Sequence, residues 1–394
     1  MTERILIENA RLVLKSGVEE GTVRTEQGRI AEILTAGERP GGAWDEKFDA
    51  RGGYLTPGFI DLHVHGFHEH QLDRGPVDLA AVCRLLPRHG VTGFLPTLCP
   101  RPRGEDLELI RRLAAAKTTG AAVLAFHLEG PFLVFPGALP ADAIGKADPA
   151  RVVSLIEAAR PYPMAFSASP DFEGVEPLIR LMRQRGATVF LTHTAADVDQ
   201  TRRAIEAGAR HATHFYDVFY PPAETDKGVR PCGAVEAILA DSRTTVDFIL
   251  DGVHVDPVAV EVALKCLGRD RVCLITDGNV GTGLGKGRFH FGSQEVEFLS
   301  AGGPARLTEH STAPGGLAGS GLTMDQALRN AVGMLKLDLP TAAQMVSANP
   351  AHVMGLDRTK GRLAVGCDAD LTLLDDALNV VRTWVGGECE FPKP

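Results

Sequence analysis

The chain has few cysteines for its length, and none of them stands in a short paired motif. Seven cysteines are spread over 394 residues, and no Cys-x-x-Cys pair occurs. An odd, scattered set of this kind excludes a disulfide framework and a cysteine-based zinc site. We expect most of these cysteines to be small buried side chains.

Long apolar runs and a leader pattern are also missing. The sequence contains no window of about 18 apolar residues, which argues against a membrane-spanning helix. The N-terminus, Met-Thr-Glu-Arg-Ile-Leu-Ile-Glu, lacks the basic-then-apolar run of a signal peptide. The expected location is therefore the cytoplasm.

Positive charge is scarce, because 41 Lys and Arg face 50 Asp and Glu, for a formal net charge of -9. The most basic short stretch is Arg101-Pro-Arg103 with Arg111-Arg112, and acidic residues interrupt it. We interpret this stretch as a solvated helix face. Without a concentrated basic patch, neither nucleic acid nor an anionic membrane is an expected partner, which leaves a small-molecule substrate.

The length allows one large domain and one smaller one. Both ends of the chain have the texture of short strands, with turns expected at Gly17, Gly21 and Gly28. The strand-like stretches cover residues 5–14, 21–30, 361–374 and 380–385. We predict that residues 1–56 and 360–394 form one small β-sandwich domain, with residues 57–359 inserted between its halves.

The middle of the chain has another rhythm, in which short apolar β-branched runs alternate with helical patterns of ten to fifteen residues. This alternation is typical of a parallel sheet with crossover helices. Eight runs predict a (β/α)8 barrel of the TIM type. They cover residues 58–63, 93–97, 123–127, 164–167, 188–192, 211–214, 245–250 and 272–276.

Two further features follow the eighth run. Residues 287–307 alternate like a β-hairpin, which we expect to decorate the barrel. Residues 323–332 and 341–346 have helical patterns, and we expect Thr323 and Thr341 to be their N-caps.

The predicted barrel strands end in residue types that bind metals or move protons. Because the carboxyl ends of barrel strands meet at one mouth, these side chains are expected to converge. The strand ends are His63-Val-His65, His127-Leu-Glu129, Thr192-His193, Thr213-His214 and Thr276-Asp277.

A His-x-His pair on a strand places both imidazoles on one face, so both can bind a single ion. Taken alone, such a pair is as often simply hydrogen-bonded, and a lone histidine such as His193 or His214 usually is. The joint pattern from five strands favours a metal site. Histidine and carboxylate ligands suit one or two divalent ions, with zinc expected first and iron, manganese or cobalt as alternatives. Cys99 ends the second run, where we expect a packing role.

Several longer motifs carry a family resemblance. Pro57-Gly-Phe-Ile-Asp-Leu-His-Val-His-Gly66 and Gly366-Cys-Asp-Ala-Asp-Leu-Thr-Leu-Leu374 resemble the amidohydrolase superfamily. Within it, the chain resembles the N-acetylglucosamine-6-phosphate deacetylases over nearly its whole length. The motifs that carry this narrower resemblance are His127-Leu-Glu-Gly-Pro-Phe132, Asp251-Gly-Val-His-Val-Asp256, Leu317-Ala-Gly-Ser-Gly-Leu-Thr-Met324 and Asn379-Val-Val-Arg-Thr-Trp-Val-Gly-Gly-Glu388.

The resemblance implies a role for each matching residue. Glu129, His193 and His214 would hold one metal ion, and His63 and His65 would be available for a second ion bridged by Glu129. Asp277 would be the general base. His254 would contact the sugar, and Arg230, in Arg230-Pro-Cys-Gly233, would reach a substrate phosphate, often across the interface of a homodimer.

Two positions depart from the family pattern. The family's Lys-Gly-Ala-His, whose histidine polarises the scissile carbonyl, corresponds to Pro136-Gly-Ala-Leu139. An amide that helps to bind phosphate corresponds to Asp217, and a carboxylate beside a phosphate is repulsive. We hypothesise that Tyr216, Asn279 or another donor replaces the missing histidine.

Three functions stay open at this point. The first is deacetylation of an N-acetyl amino sugar 6-phosphate by metal-activated water. The second is hydrolysis of another N-acyl amine that carries no phosphate and has a cationic group facing Asp217. The third is a non-catalytic scaffold of the same fold, for which loss of metal ligands would be the sequence mark, and the ligand set is intact.

Overall fold

A computed structural model describes residues 4–35, 38–102, 104–311 and 313–392. Strands are numbered here in chain order. The two ends of the chain contribute β1 Ile5–Leu14, β2 Gly17–Glu26, β3 Arg29–Thr35, β4 Glu46–Asp49, β5 Tyr54–Pro57, β21 Leu371–Leu374, β22 Val380–Val385 and β23 Glu388–Phe391. They form one sheet in the order β23-β22-β21-β5-β1-β2-β3, with β4 paired to β1.

This accessory sheet joins the two ends through antiparallel pairing of β5 with β21, in which Leu371 lies opposite Pro57. It has its own apolar core, which includes Ile7, Leu12 and Trp384. The predicted meeting of the two ends is therefore confirmed. The domain boundaries at 56/57 and 359/360 stay a prediction, and residues 1–3 and 393–394 lie outside the described residues.

The accessory sheet differs from the prediction in two details. Gly21 was expected in a turn but lies inside β2, opposite Ala10. Only Leu371–Leu374 of the strand-like stretch 361–374 is a strand. In that stretch Gly361 and Gly366 adopt positive φ angles of 77° and 88°, a left-handed conformation that interrupts extended backbone.

The inserted part of the chain forms the predicted parallel barrel. Its strands are β6 Phe59–Val64, β9 Val91–Leu98, β11 Phe126–Phe132, β12 Met164–Ala168, β13 Thr188–Leu191, β14 His211–Ala212, β15 Thr245–Ile249 and β16 Val272–Ile275. They pair in chain order, and Ala122–Val123 (β10) adds a short pairing to β9. The barrel closes where Val64 bridges Gly278 and the His65 amide donates to the Gly278 carbonyl at 2.8 Å.

Helices cover the outside of the barrel. They are α1 Pro76–Leu85, α2 Glu105–Ala114, α3 Pro149–Ala159, α4 Val175–Gln184, α5 Val198–Ala207, α6 Ala234–Ala240, α7 Pro257–Leu267, α8 Met324–Met334, α9 Leu339–Val346 and α10 Ala348–Val353. The predicted N-cap position of α8 at Thr323 is confirmed, although its side chain makes no capping hydrogen bond. The prediction for Thr341 is wrong, because the Asp338 side chain caps α9 by accepting from the Thr341 amide.

The predicted hairpin is part of a larger antiparallel insertion, made of β17 Gly287–Phe291, β18 Gln294–Phe298, β19 Pro304–Leu307 and β20 Leu317–Ser320. Its inner face belongs to an apolar cluster that also contains Leu133 and Leu139. A two-stranded ribbon, β7 Gly66–Phe67 and β8 His70–Gln71, lies beside the first barrel strand. The insertion thus covers one side of the mouth.

The cysteines and the basic stretch agree in part with the sequence expectations. Cys83, Cys99, Cys273 and Cys367 are buried, and all seven cysteines are unpaired. Arg111 and Arg112 are exposed on α2, as predicted for a solvated face, whereas Arg103 lies outside the described residues. The prediction is wrong for Arg101, because this residue precedes α2, is partly buried and donates to the Asp73 carbonyl at 2.6 Å. Among the helices of the described ranges, none combines the length and hydropathy needed to cross a membrane.

A buried ion pair fastens α8 to the barrel. The Asp325 carboxylate contacts His89 Nδ1 at 3.0 Å and Arg329 Nη2 at 2.9 Å. Burial opposes ionisation of Asp325, but its hydrogen bond from His89 and the charges of His89 and Arg329 lower its pKa from 3.8 to about 2. A depressed folded-state pKa stabilises the fold above the unfolded value of 3.8, and this contribution is lost as pH falls toward 2.

We therefore expect Asp325→Asn to lower the free energy of unfolding by about 2 kcal/mol at pH 7. The difference from the unaltered protein should shrink between pH 4 and pH 2 because protonation of Asp325 then removes the same charge. Urea denaturation across that pH range measures it. A difference that stays constant down to pH 2 would assign the loss to packing instead.

Candidate active site

Glu129, in the middle of β11 Phe126–Phe132, lies between two pairs of histidines at the barrel mouth. Its Oε1 is 3.0 Å from Nε2 of His214 and 3.5 Å from Nε2 of His193. Its Oε2 is 3.1 Å from Nε2 of His65 and 3.6 Å from Nε2 of His63. Each carboxylate oxygen therefore faces one pair of imidazoles, which is the arrangement needed for a carboxylate that bridges two cations.

Asp277 follows β16 and lies on the side of the His63/His65 pair. Its Oδ1 is 3.5 Å from Nε2 of both histidines. The glycine of the Leu-Ala-Gly-Ser motif, Gly319, is required by close packing against Asp277. A Cβ at this position would lie 2.5 Å from the Asp277 carbonyl oxygen and 3.5 Å from both carboxylate oxygens. The motif leaves room for the main chain and the carboxylate of Asp277.

The donor atoms fit a divalent metal. Two sets of ligand atoms lie within 4.8 Å of one another, and all the residues are buried: His63 with His65 and Asp277, and His63 with Glu129 and His214. Imidazole and carboxylate donors without a thiolate suit zinc, iron, manganese or cobalt. The structure brings together every residue that the sequence predicted as a metal ligand or general base.

The electrostatics of this centre pair an ionised Glu129 with a protonated His214. Burial raises the pKa of Glu129, but the surrounding His63, His193 and His214 outweigh burial and hold it well below its ordinary value. Burial lowers the pKa of His214, and contact with Glu129 more than reverses this, raising it to about 10. A metal binds the deprotonated ligands, so binding would release protons from this centre.

The candidate ligand histidines are oriented through their second ring nitrogen. Nδ1 of His63 lies 3.0 Å from the Thr213 hydroxyl, and Nδ1 of His193 lies 2.7 Å from the Phe135 carbonyl oxygen. Nδ1 of His214 is 3.4 Å from the Asp217 carbonyl oxygen. Such outer contacts fix the tautomer and leave Nε2 facing the metal site.

Two buried aspartates support this centre, and neither of them was predicted from the sequence to have a role. Asp61 accepts hydrogen bonds from the Thr276 hydroxyl at 2.6 Å and from the His63 amide at 3.2 Å, which ties β6 to β16. Asp247 accepts from the His214 amide at 2.5 Å and contacts His211 Nε2 at 2.7 Å. An acidic residue inside an otherwise apolar strand was the available signal for both.

The backbone is strained at three of the functional residues. His193, His214 and Asp277 have φ angles of 52°, 35° and 45°, in the left-handed region that non-glycine residues rarely adopt. Strained residues of this kind cost about 1–3 kcal/mol each and concentrate at functional sites. Val218, just after His214, has a φ of 56° although its side chain is β-branched.

Val218 therefore offers a test of this strain. We expect Val218→Gly to raise the free energy of unfolding by up to about 1 kcal/mol, because glycine adopts a positive φ without steric cost. Val253→Gly is the matched control, since exposed Val253 has no positive φ and should lose stability. Equal losses in the two variants, measured by urea denaturation, would contradict the strain.

The residues predicted on the substrate side divide into two groups. His254 is close to the centre: its Nδ1 contacts Asp251 at 2.8 Å, and among the described residues its buried Nε2 has no hydrogen-bond partner. Burial lowers the pKa of His254, whereas Asp251, Asp217 and Asp277 raise it to a net value above 6.5. Asp217 and half-buried Tyr216 lie in the segment after His214.

The other three side chains make contacts with neighbouring residues. Arg230 has an 85% exposed side chain and pairs with Glu236 at 2.8 Å. Leu139 is only 8% exposed and packs in the apolar cluster with Cys99 and Phe291. The Asn279 side chain donates to the Ala318 carbonyl and accepts from the Gly281 amide, and its role as a replacement for the missing histidine stays a prediction.

Comparison with known proteins agrees with this geometry. The family model described as "Amidohydrolase family" matches residues 54–389. N-acetylgalactosamine-6-phosphate deacetylase of Escherichia coli O157:H7 is 33% identical over 376 residues, which cover 94% of this chain and 96% of that protein. N-acetylglucosamine-6-phosphate deacetylase of Bos taurus is 31% identical over 368 residues, covering 87% and 85%.

A solved structure is similar over the same extent. The crystal structure of N-acetylglucosamine-6-phosphate deacetylase from Pasteurella multocida superposes with a TM-score of 0.87 at 26% identity, covering 98% of this chain and 99% of that one. Family match, relatives and fold therefore agree with the motifs and with the buried cluster around Glu129. The chain belongs to the amidohydrolase family.

Proposed function

We propose that the chain is a metal-dependent deacetylase of N-acetylhexosamine 6-phosphates. The observation that carries this proposal is the position of Glu129 between two histidine pairs, with Asp277 beside one of them. Relatives named as deacetylases of N-acetylgalactosamine-6-phosphate and N-acetylglucosamine-6-phosphate support the substrate class. The intact ligand set argues against a non-catalytic scaffold.

Glu129, His193 and His214 would hold the first ion, and His63 with His65 would hold a second ion that shares Glu129. Zinc is the proposed metal, with iron, manganese and cobalt as alternatives. When bound, a divalent ion lowers the pKa of a water ligand and polarises the amide carbonyl. The second ion would take over the carbonyl-polarising role for which Leu139 has no polar group.

Asp277 performs the proton transfers in this proposal. Its carboxylate accepts a proton from the attacking water, and the oxygen of that water forms a bond to the amide carbon. The C–N bond then breaks, and Asp277 returns the proton to the leaving nitrogen, which departs as an amine. Acetate and the free amino sugar are the products. Aspartate suits both steps because only 8% of this residue is exposed, which keeps bulk water away from its proton.

The substrate side is proposed from the same centre. The buried Nε2 of His254 is available to a sugar hydroxyl, and the Tyr216 hydroxyl can donate to the substrate. Arg230 would bind the phosphate of a substrate held by a partner subunit in a homodimer, because its guanidinium is exposed. Leu139 would contact the acyl group through its apolar side chain.

A second candidate function is hydrolysis of an unphosphorylated N-acyl amine. The position of Asp217 favours it, because its negative charge raises the pKa of both His214 and His254 and so acts inside the mouth. A carboxylate there repels a phosphate and attracts a cationic group. The pairing of Arg230 with Glu236 also favours this alternative, because the guanidinium is then engaged by a carboxylate rather than by a phosphate.

The deciding experiment is a hydrolysis panel on protein of known metal content. It compares the 6-phosphates of N-acetylglucosamine and N-acetylgalactosamine with both unphosphorylated sugars and with cationic N-acyl amines, by acetate or carboxylate release. The main proposal expects kcat/KM to be at least about 10²-fold higher for the phosphorylated sugars, since an Arg–phosphate pair contributes about 3 kcal/mol. Equal rates with and without phosphate would favour the second candidate.

A further inference from the structure

His65 differs from the other ligand histidines in what lies behind its ring. Its Nε2 faces Glu129 at 3.1 Å, while its Nδ1 faces the Cys99 sulfur at 3.9 Å. Oxygen atoms take the corresponding position for His63 and His193, at 3.0 Å and 2.7 Å. A thiol is a weaker hydrogen-bond partner than a hydroxyl or a carbonyl. Nδ1 of His65 therefore has a weaker hydrogen bond than Nδ1 of His63 or His193.

Cys99 itself does not face the metal position, because it lies on the Nδ1 side of the ring. Burial raises the pKa of Cys99 well above 9.0, and the neighbouring carboxylates of Asp73 and Glu129 raise it further. The Cys99 side chain is buried and has one S–H proton that it can donate. A neutral thiol can accept from Nδ1–H of His65 and donate to an acceptor beyond it.

Asp73 provides such an acceptor. It lies in a single 3-10 turn, Leu72–Arg74, and only 6% of it is exposed. Its Oδ2 accepts a 3.3 Å hydrogen bond from Gln71 Nε2, whereas its buried Oδ1 has no hydrogen-bond partner among the described residues. A buried carboxylate oxygen without a donor is costly, so its retention needs a reason.

The surroundings of Asp73 hold it at this place. Arg101 Nη2 donates to the Asp73 main-chain carbonyl at 2.6 Å, which fixes the turn. Burial raises the pKa of Asp73, and the charges of His65 and Arg101 oppose that rise. The pKa of Asp73 and that of Cys99 each respond to a side-chain hydrogen bond with the other group, so the two side chains are neighbours. Oδ1 is the carboxylate oxygen that has no other partner among the described residues.

We propose that Asp73 and Cys99 are positioning residues that orient His65 and set how tightly the second metal ion is held. In this arrangement Nδ1–H of His65 donates to the Cys99 sulfur, and the thiol donates to Oδ1 of Asp73. A histidine ligand whose second nitrogen donates toward a carboxylate is fixed in orientation and is more basic at its metal-binding nitrogen. This inference rests on the proposed second ion at His63 and His65.

The test counts and ranks metal sites without using catalysis. Metal-free protein is titrated with Co²⁺, and its visible absorption is followed with the metal content per chain. We expect two ions in the unaltered protein, and His65→Asn identifies which affinity belongs to the His63/His65 position. Asp73→Asn and Cys99→Ala should each weaken that affinity by about 10–100-fold and leave the other unchanged.

The choice of variants separates positioning from general damage. In Asp73→Asn, the amide oxygen is expected to keep the hydrogen bond from Gln71. The amide NH2 group then faces the Cys99 thiol, so the thiol loses its hydrogen-bond acceptor. Cys99→Ser retains a group that both accepts and donates, and should restore most of the affinity lost in Cys99→Ala. Asp78→Asn is the matched control, because this carboxylate contacts His70 at 2.9 Å rather than His65.

Three results would overturn the inference. One is an unchanged second affinity in both Asp73→Asn and Cys99→Ala. Another is an equal loss at both metal positions, which would indicate general damage to the fold. In either event the two-ion site and the deacetylase proposal would still stand. A single ion in the unaltered protein would overturn the inference together with the proposed second ion, while leaving the first ion and the hydrolysis panel as they are.

Discussion

Replacing Asp277 by asparagine should lower kcat by about 10³-fold with little change in KM. Asparagine keeps the size of the side chain but cannot accept the proton of the attacking water at neutral pH. It also tolerates the positive φ of 45° at this position, so the fold should be retained. Initial rates of acetate release measure the effect, and metal analysis should show unchanged occupancy at Glu129, His193 and His214.

Asp256→Asn is the matched control for this prediction. Asp256 caps α7 by accepting from the Val258 amide, and asparagine is an equally good N-cap, so only a negative charge is lost. We expect its rate to stay within about twofold of the unaltered protein. Activity of Asp277→Asn at the level of this control would rule out the proposed proton transfers.

Glu129→Gln should have the larger combined effect, because one carboxylate serves both histidine pairs. Loss of its charge should weaken both ions and remove about 5 kcal/mol of transition-state stabilisation, a fall of about 10⁴-fold in kcat/KM. Metal content after dialysis and rates at several metal concentrations measure the two effects. Excess metal should restore part of the activity, since the histidines remain.

The comparison for this variant is Glu157→Gln, which changes an exposed carboxylate on α3 that pairs with Arg160. A surface pair of this kind contributes at most about 1 kcal/mol, so neither metal content nor rate should change. If Glu129→Gln retained both ions and its full rate, the bridging geometry would have no catalytic meaning. Loss of one ion alone would restrict Glu129 to a single metal.

Leu139 and Phe291 give the mouth an apolar side. Phe291, from the insertion, has its ring centroid 5.5 Å from that of His65, and Leu139 belongs to the same cluster. The family's polar histidine would be poorly placed in this cluster, because a buried imidazole needs hydrogen-bond partners. The departure at position 139 is thus matched by its surroundings.

Much of the fold could be predicted from the local pattern of apolar residues. Alternation of apolar runs with helical stretches predicted the barrel, and each predicted run overlaps an observed strand. The ends of helices and strands were harder to predict where the same residue type occurs both at an end and inside an element. Thr341 resembled an N-cap but occupies the third helical position behind Asp338, and Gly21 resembled a turn but lies inside β2.

From the sequence, the site could be predicted only as the set of residues that follow or end the barrel strands. The parallel barrel guarantees that such ends share one mouth, so Glu129, Asp277 and the four histidines could be predicted to meet. The position of Asp73 could not be predicted, because it depends on a turn that Arg101, from another part of the chain, holds by a hydrogen bond to the Asp73 carbonyl. Asp247 was likewise missed, since its partner is the main-chain amide of His214.

The sequence by itself determined the barrel, its metal-binding residue types and the family, because periodicity and strand-end chemistry are local properties of the chain. Tertiary structure decided which oxygen of Glu129 faces which histidine pair, that Leu139 packs in an apolar cluster, and that Arg230 pairs with Glu236. These are relations between distant segments, and their geometry depends on how the loops fold over the mouth.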